Sequence, residues 1–379
     1  MVRWLNCNTA LPVRRRRRLT ELPAHTALCH HVLLIYGANG YTGQLIVEES
    51  VRRGLRPVLA GRRAEALATI AAKHGLDVRV ASLDDAAALT TMLDGITVVV
   101  HSAGPFFRTS APMVRACLAA KVHYLDITGE IAVFEACRAR HDDAKEAGIV
   151  ILPGVGFDVV PTDCLAARLA ERLPGAQLLE LAFGGGGGFS RGTLKTMVLG
   201  SPEGGAIRKN GRITKVPAGW KTQSIPFRDR RRNAVTIPWG DVSTGYWSTK
   251  IPNIHTYLAM PPSAVRMMGL TKLASPVLSI GFVQRFVESQ IDQRVSGPSA
   301  ETRARARMHV WGRVTHADGR VLEGTAETPE GYRLTAIAAV ESAHRVLAAA
   351  PPAGYQTPSS AFGAGFLETL PECDVVLDA

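Results

Sequence analysis

Carboxylate side chains follow two short apolar runs in the first half of the chain. Asp126 and Glu130 come at and after the run HYLD, and Asp158 follows the run IVILPG. A carboxyl group at the edge of a cleft can donate or accept a proton, and two that share a cleft can have different pKa values. We take Glu130 and Asp158 as candidate catalytic residues. A structural role remains the alternative, because Asp158 precedes a helical segment and Asp126 could brace a turn.

A glycine-rich segment, GANGYTG, spans residues 37–43. It follows an apolar run at 31–37 and precedes a segment with helical spacing that ends at Gly54. Glycine lets the backbone approach a pyrophosphate closely, and the free N–H groups of a helix N-terminus bind phosphate. The context predicts a dinucleotide site with these contacts: Gly37, Asn39, Gly40, Tyr41, Thr42 and Gly43.

The end of the second predicted strand indicates which dinucleotide is bound. An NAD site usually has an acidic residue there, but this chain has Arg62 and Arg63 after Gly61. Guanidinium groups pair well with a 2′-phosphate, so we predict NADP(H); a solvated turn is the alternative. Four further cofactor contacts are expected after the fourth predicted strand: Ser102, Ala103, Gly104 and Pro105. Of these, Gly104 and Pro105 would let the chain pass over the nicotinamide ribose.

The elements that must position these residues alternate between strand and helix over residues 31–163. About six short apolar runs are separated by helical segments, including one expected helix over 131–147. This alternation predicts an α/β fold of the Rossmann type, a doubly wound parallel sheet. Ligands of such a sheet bind at the carboxyl ends of its strands, where the candidate residues lie.

Five segments, GANGYTG, AGRR, HSAGPF, YLDITGE and GVGFDVVPTD, occur in this order. In this combination the chain resembles the saccharopine dehydrogenase-like oxidoreductases, and within them a bacterial branch that includes trans-acting enoyl reductases. The resemblance implies a Rossmann domain, NADP(H) and a second domain that carries the substrate. It leaves the substrate open, because the family covers both imine and enoyl reduction.

The second half of the chain loses the strand–helix alternation and predicts an α+β domain with an antiparallel sheet over 164–350. Basic and apolar residues alternate over 301–314, which predicts a strand. The next segment is predicted to return as the second strand of a hairpin, and residues 331–350 are predicted to form a helix. Residues 351–379 are expected to pack back near the Rossmann domain. Five glycines at 184–188 precede Arg191 and Lys195, which could bind an anionic substrate group; a flexible connection is the alternative.

Tyr246 and Lys250 have the YxxxK spacing of the short-chain dehydrogenase dyad. We reject this interpretation, because the pair lies outside the predicted nucleotide domain and follows a turn at Gly245 rather than an established helix. No serine lies at the usual upstream distance.

The formal net charge of +11 is concentrated in two segments. Residues 1–30 predict a disordered basic extension, with a nucleic-acid or anionic-membrane tether as the alternative. Residues 205–232 hold nine Lys or Arg and one Asp. This composition is typical of a solvated loop, but it also fits a surface on which an acidic carrier protein docks. No nucleic-acid-binding module is recognisable, so we expect no nucleic-acid partner.

The remaining composition predicts a cytoplasmic protein. Its six cysteines show no CxxC pair or Cys/His metal spacing, which argues against a disulfide scaffold and a metal site. An apolar segment at 257–287 predicts a core or homodimer contact, or peripheral contact with a membrane or acyl chain.

Three functions follow from these observations. The first is an NADPH-dependent oxidoreductase that reduces the C=C bond of a small-molecule or carrier-bound acyl substrate. The second is a saccharopine-type dehydrogenase acting on a C=N bond. The third is a non-catalytic NADP-binding, lipid-associated scaffold.

Overall fold

Two β-sheets organise the described part of the chain in a computed structural model. The described residues are 33–188, 190–192, 194, 204–261, 289–290, 293–294 and 297–378. Three sequence predictions fall on residues outside these ranges: the basic extension at 1–30, the side chain of Lys195, and the apolar segment at 257–287 except for its first five residues.

The first sheet has seven strands, all parallel, in the spatial order β15-β6-β5-β4-β1-β2-β3. Numbered in chain order, its strands are β1 (Leu33–Tyr36), β2 (Val58–Gly61), β3 (Val78–Val80), β4 (Val98–His101), β5 (His123–Asp126), β6 (Val150–Leu152) and β15 (Gly354–Tyr355). Every residue of β1, β2 and β4 is buried, as expected of central parallel strands covered on both faces.

Helices cover both faces of this sheet, which gives the predicted doubly wound arrangement. They are α1 (Tyr41–Arg52), α2 (Ala64–His74), α3 (Ala86–Leu93), α4 (Phe106–Ala120), α5 (Ile131–Arg138), α6 (His141–Ala147) and α10 (Gly331–Ala348). On one face Ile35 and Val100 pack with α1 and with Ala339 of α10; on the other, Leu34 and Val99 pack with α3 and α4.

The single helix predicted over 131–147 is wrong, since α5 and α6 are separate helices. Asp142 and Asp143 occupy the first turn of α6, where negative charge is favourable, and Arg140 pairs with Asp143 at 2.9 Å. These interactions define a new helix start inside the segment.

The second sheet has nine strands. They are β7 (Ala176–Gly185), β8 (Gly205–Lys209), β9 (Arg212–Val216), β10 (Thr222–Pro226), β11 (Arg231–Thr236), β12 (Asn253–Ala259), β13 (Arg307–His316), β14 (Val321–Pro329) and β16 (Asp374–Leu377). The main order is β10-β11-β12-β7-β13-β14-β16, with β8 paired to β12 and β9 paired to β8. The sheet is mostly antiparallel, as predicted, but the central pair β7 and β12 is parallel.

The helices beside the second sheet are α7 (Val160–Arg172), α8 (Asp241–Thr249), α9 (Ala300–Arg305) and α11 (Pro358–Phe362), with a 3₁₀ turn at Leu367–Thr369. Leu165 and Leu169 of α7 pack on the sheet with Val310 and Val314. A Cβ on Gly312 would lie 2.8 Å from Leu169 Cδ1, so glycine permits this close approach.

Three details of the predicted second half are corrected. The strand predicted from residue 301 begins at Arg307; before it lies α9, whose N-cap Ser299 accepts a hydrogen bond from the Thr302 N–H at 3.1 Å. Tyr246 lies within α8 and does not follow a turn. Residues 205–232 form strands β8 to β11 rather than a solvated loop.

The chain returns to the first sheet after building most of the second. Helix α10 follows β14 directly and packs Ala336, Val340 and Val346 against the first sheet. Strand β15 then pairs with β6 at the sheet edge, while β16 pairs with β14 of the second sheet. Among the residues described, no helix has both the length and the hydropathy to cross a bilayer.

Candidate functional site

A cleft of about 740 Å³ opens at the carboxyl ends of β1, β2 and β4. This volume lies within the range of small-molecule sites, and the position is where a doubly wound sheet binds its ligand. The lining residues come from the β1 end and the glycine-rich loop, the β2 and β4 ends, and the segment after β7: Tyr36, Gly37, Asn39, Gly40, Tyr41, Thr42, Gln44, Gly61, Arg62, Arg63, Ser102, Ala103, Gly104, Ser190, Arg191 and Gly192.

The glycine-rich loop is packed too closely for side chains at two of its positions. Gly37 has a φ of +85°, and a Cβ there would lie 2.8 Å from the backbone nitrogen of Ala103. A Cβ on Gly43 would lie 2.2 Å from the carbonyl oxygen of Gly37. Glycine at both positions therefore keeps the loop tight against α1 and the β4 end.

The N-terminus of α1 faces this loop without an internal cap. Gly40 is the N-cap residue and has no side chain, and no acidic residue occupies the first turn. The first N–H groups of α1, with the positive end of its dipole, are thus suited to an anion. A pyrophosphate fits this donor set.

Arg62 and Arg63 extend from the end of β2 with different surroundings. With its amide oxygen turned toward the guanidinium, Asn39 accepts two hydrogen bonds from Arg63, at 2.6 and 3.2 Å. Arg62 is exposed at the cleft and makes no hydrogen bond or ion pair with any residue that the structure describes. An unpaired guanidinium in this position suits the 2′-phosphate of NADP(H).

Replacing Arg62 with alanine is expected to raise the Kd for NADPH by roughly 10- to 100-fold, because a charge-assisted contact to the 2′-phosphate is lost. The Kd for NADH, which has no such phosphate, should change little. Fluorescence titration with both cofactors measures the two values. Arg56→Ala is the control, since Arg56 binds the Gly75 carbonyl away from the cleft; an equal loss for NADH and NADPH would contradict the assignment.

The loop between β4 and α4 is fixed to the end of β1. The Ser102 backbone N–H and its hydroxyl both donate to the Tyr36 carbonyl oxygen, at 2.8 and 2.9 Å. Ala103 accepts a hydrogen bond from the Thr109 hydroxyl at 2.6 Å. Of the predicted cofactor contacts in this loop, Ser102, Ala103 and Gly104 line the cleft, and Pro105 follows as the N-cap of α4.

Glu130 lies further along the rim, at the start of α4. Its two carboxylate oxygens accept the backbone N–H groups of Phe106 and Phe107, each at 2.8 Å. A carboxylate in this position stabilises the positive end of a helix dipole. Glu130 thereby ties the loop after β5 to the loop that contains Gly104.

Asp158 lies beside Glu130, after the end of β6. Burial, with the negative charge of Glu130 adding to it, raises the pKa of Asp158 to about 7. The side chain is half-buried, and its carboxylate makes no hydrogen bond within the described part of the chain. Its backbone carbonyl accepts a hydrogen bond at 2.6 Å from Nε1 of Trp239, which lies in the loop between β11 and α8. This carboxyl group can hold and release a proton near neutral pH.

Neither Glu130 nor Asp158 lines the cleft itself; both lie beyond Gly104 along the same edge of the sheet. Asp126 is fully buried and braces a turn, accepting hydrogen bonds from Tyr124, Thr128 and Gly154 at 2.7 to 3.0 Å. Burial raises the pKa of Asp126 to about 6.

Arg191 is the predicted substrate-binding residue that the structure brings to the cleft, where it is exposed. Lys195 is outside the described residues. Tyr246 lies under the Arg208 guanidinium, which is 4.5 Å from the ring centroid and also approaches Glu135. Tyr246 is not among the residues that line the cleft.

Sequence reasoning missed several residues around the site. Tyr36 and Gly61 directly precede predicted contacts, so the ends of the strands were a signal for them. Ser190 and Gly192 flank Arg191 and could have been found with it. Trp239 carried no signal, because only the contact between the loop from β11 to α8 and residue 158 brings it near the site.

Known proteins are similar to this chain both in its nucleotide-binding domain and over most of its length. Residues 33–152 match the model of the saccharopine dehydrogenase NADP-binding domain. A Mycobacterium tuberculosis protein named as a trans-acting enoyl reductase is 28% identical, over 91% of this chain and 96% of the relative. A Caenorhabditis elegans protein named as lipid droplet localized is 26% identical, over 74% of this chain and 77% of its own length.

The fold has a solved counterpart. Apo saccharopine dehydrogenase (L-Glu forming) from Saccharomyces cerevisiae superposes with a TM-score of 0.63 at 11% identity, covering 92% of this chain and 100% of the yeast chain. This similarity confirms the predicted fold, in which a Rossmann-type sheet is combined with a second α+β region. In its nucleotide-binding domain and its fold, this chain is similar to the saccharopine dehydrogenase-like oxidoreductases, and residues 33–152 form an NADP(H)-binding domain.

Proposed function

We propose that this protein is an NADPH-dependent reductase of an α,β-unsaturated acyl thioester and that Asp158 is its proton donor. The observation that carries the proposal is a half-buried carboxyl group with a pKa of about 7 at the same edge of the sheet as the NADP(H) cleft. Reduction needs such an acid, because each hydride added to the substrate must be matched by a proton. The relative named as a trans-acting enoyl reductase supports the acyl substrate.

Each residue around the cleft has a distinct part in this reaction. The glycine-rich loop, Arg62 and the loop from Ser102 to Pro105 hold NADPH, which supplies a hydride when bound. The β-carbon of the substrate receives the hydride, and the α-carbon receives the proton of Asp158, so the C=C bond becomes a single bond. Glu130 positions α4 and keeps Asp158 protonated near neutral pH. Arg191 polarises the thioester carbonyl.

The α+β region of residues 164–350 provides the substrate side in this proposal. Ser190, Arg191 and Gly192 reach the cleft from the segment after β7. The proposed location is the cytoplasm, with peripheral lipid contact suggested by the relative named as lipid droplet localized. A homodimer is part of the same proposal.

The test is NADPH oxidation by the purified protein, followed by the loss of NADPH absorbance. A long-chain 2-enoyl thioester and an imine-forming mixture of a lysine-derived semialdehyde with glutamate are supplied separately. Turnover of the thioester supports the proposal. Turnover of the imine alone would make the protein a saccharopine-type dehydrogenase that acts on a C=N bond. NADPH binding with neither reaction would favour a non-catalytic NADP-binding scaffold.

We further propose that an acidic carrier protein docks on the hairpin of β8 and β9. Lys209, Arg212 and Lys215 are exposed there and have no acidic partner in the part of the chain that the structure describes. The other basic residues of this region include Arg228 and Arg232, which pair with carboxylates. The KM for a carrier-bound substrate should rise with salt concentration, whereas the KM for the free thioester should not. An equal change of both KM values with salt would exclude the hairpin as the docking site.

A further inference from the structure

Tyr41 links the nucleotide-binding loop to a segment that precedes β13. It is the first residue of α1 and lines the cleft. Its hydroxyl donates a hydrogen bond to the Pro298 carbonyl oxygen at 2.6 Å and accepts one from Arg303 Nη1 at 2.8 Å. Arg303 also donates to the Pro298 carbonyl at 2.6 Å, which closes a three-residue network around this hydroxyl.

The Tyr41 ring makes two further contacts. Its plane is at 88° to that of Tyr332, with the ring centroids 5.1 Å apart, a favourable edge-to-face geometry. Gly297 has a φ of +84°, and a Cβ there would lie 2.8 Å from Tyr41 Cε2. The backbone before β13 therefore packs directly against the ring.

Tyr332, which contacts the Tyr41 ring, also binds the segment after β7. Its hydroxyl accepts the Ser190 backbone N–H at 2.6 Å. Ser190 is 4% exposed, whereas the next residue, Arg191, is exposed at the cleft. Tyr41, Tyr332 and Ser190 thus connect the phosphate-binding end of α1 to the proposed substrate-binding residue.

The start of α10 is fixed independently of Tyr41. Glu330 caps this helix by accepting the backbone N–H groups of Tyr332 and Arg333, at 3.0 and 3.1 Å. A Cβ on Gly187 would lie 2.9 Å from Glu330 Oε1, so the glycine-rich segment after β7 packs on the same helix end. The position of Tyr332 is therefore fixed by the helix cap, and its contacts connect Tyr41 to Ser190.

We propose that Tyr41 is a positioning residue that couples NADP(H) binding to the placement of the 190–192 segment over the cleft. The inference rests on the proposed function, in which Arg191 contacts the substrate. A nucleotide that fixes the N-terminus of α1 also fixes the Tyr41 ring, and with it the segments before β13 and after β7. Because such coupling is reciprocal, an ordered 190–192 segment also favours the bound nucleotide.

Hydrogen exchange measured by mass spectrometry tests this coupling in the full chain. The readout is the exchange rate of a peptide containing the Ser190 amide, with and without saturating NADPH. In the wild-type protein NADPH should slow this exchange by on the order of tenfold, the effect of one or two net hydrogen bonds. Tyr41→Phe loses the hydrogen bonds to Pro298 and Arg303 that hold the ring in its edge-to-face contact with Tyr332. Most of the NADPH-dependent slowing at Ser190 should therefore disappear.

Two variants serve as companions. Tyr246→Phe, a tyrosine outside the cleft, should keep the wild-type response. Tyr332→Phe removes the acceptor of the Ser190 N–H and should speed exchange both with and without NADPH; it tests the chain of contacts if Tyr41→Phe does not fold.

The outcomes separate this inference from the proposed function. Equal slowing by NADPH in the wild type and Tyr41→Phe, or no slowing in the wild type, would overturn the coupling. Loss of the response in Tyr41→Phe supports it even if no thioester is turned over, because the readout does not depend on turnover. If the thioester is a substrate, Tyr41→Phe should raise its KM more than it lowers kcat, and a proportional loss in both would argue for a merely structural contact.

Discussion

Asp158→Asn is expected to lower thioester turnover by roughly 100- to 10,000-fold, the usual effect of removing a general acid. Asparagine fills the same space but cannot donate a proton of suitable acidity. The NADPH Kd should stay near the wild-type value, since Asp158 is not among the residues lining the cleft. Stopped-flow single turnovers, together with fluorescence titration of NADPH, separate the two effects.

The pH dependence gives an independent check on Asp158. Only the protonated acid is active, so kcat/KM in the wild type should be constant at low pH and fall as the pH rises through about 7. Glu130→Gln removes the negative neighbour, lowers the pKa of Asp158 and should move this limb to lower pH. An unchanged limb in Glu130→Gln, or full activity in Asp158→Asn, would exclude Asp158 as the donor.

Folding of the Asp158 variant can be checked by its thermal unfolding. A carboxyl group whose pKa is raised in the folded state stabilises the protein below its unfolded pKa, and this contribution is lost as pH rises through the folded value. Asparagine does not ionise, so at pH above about 7 the variant should melt no lower than the wild type. Tyr246→Phe is the activity control and should leave turnover largely intact.

Gly43→Ala is expected to weaken NADPH binding by about 100-fold or more. The added Cβ would lie 2.2 Å from the Gly37 carbonyl oxygen, 2.9 Å from the Gly37 carbonyl carbon and 3.0 Å from Ala38 Cα. These are backbone atoms, so the clash is relieved only if the loop moves away from α1 and its N–H groups lose their alignment. Isothermal titration with NADPH measures the loss.

The matched control for Gly43 is Gly365→Ala. Gly365 lies outside the cleft, and the nearest atoms to an added Cβ are side-chain ends at 3.7 and 3.8 Å. This variant should bind NADPH normally. Normal NADPH affinity in a folded Gly43→Ala protein would show that the loop does not hold the pyrophosphate.

The nucleotide half was predictable because its signals are local. A buried strand, a glycine turn and a helix start follow one another within residues 33–52, and the arginines come directly after the next strand. The parallel sheet then brings these segments to one edge without further information. The resemblance of five short segments added the cofactor, and the match over residues 33–152 confirms it.

The second half was less predictable because local patterns there have two interpretations. The alternation of Arg and Ala at 303–306 fits a strand face, but Ser299 caps a short helix at the start of this stretch. The pattern of α10 indicated a helix but did not indicate which sheet it covers. Trp239 contacts residue 158, which is 81 positions away in the sequence, and Tyr41 contacts Pro298, which is 257 positions away. Sequence spacing gives no signal for contacts at such separations.

The late return of the chain to the first sheet has a consequence for synthesis on the ribosome. β6 ends at Leu152, but its neighbour β15 and the covering helix α10 are translated only after residue 330. Until then the apolar face around Ile35, Val100 and Leu125 lacks α10. Domains fold as units during translation, and uncovered apolar sheets are prone to aggregate. The nucleotide-binding half therefore stays without one of its covering helices until residue 348 has been made, and a fragment ending near residue 152 leaves this apolar face uncovered.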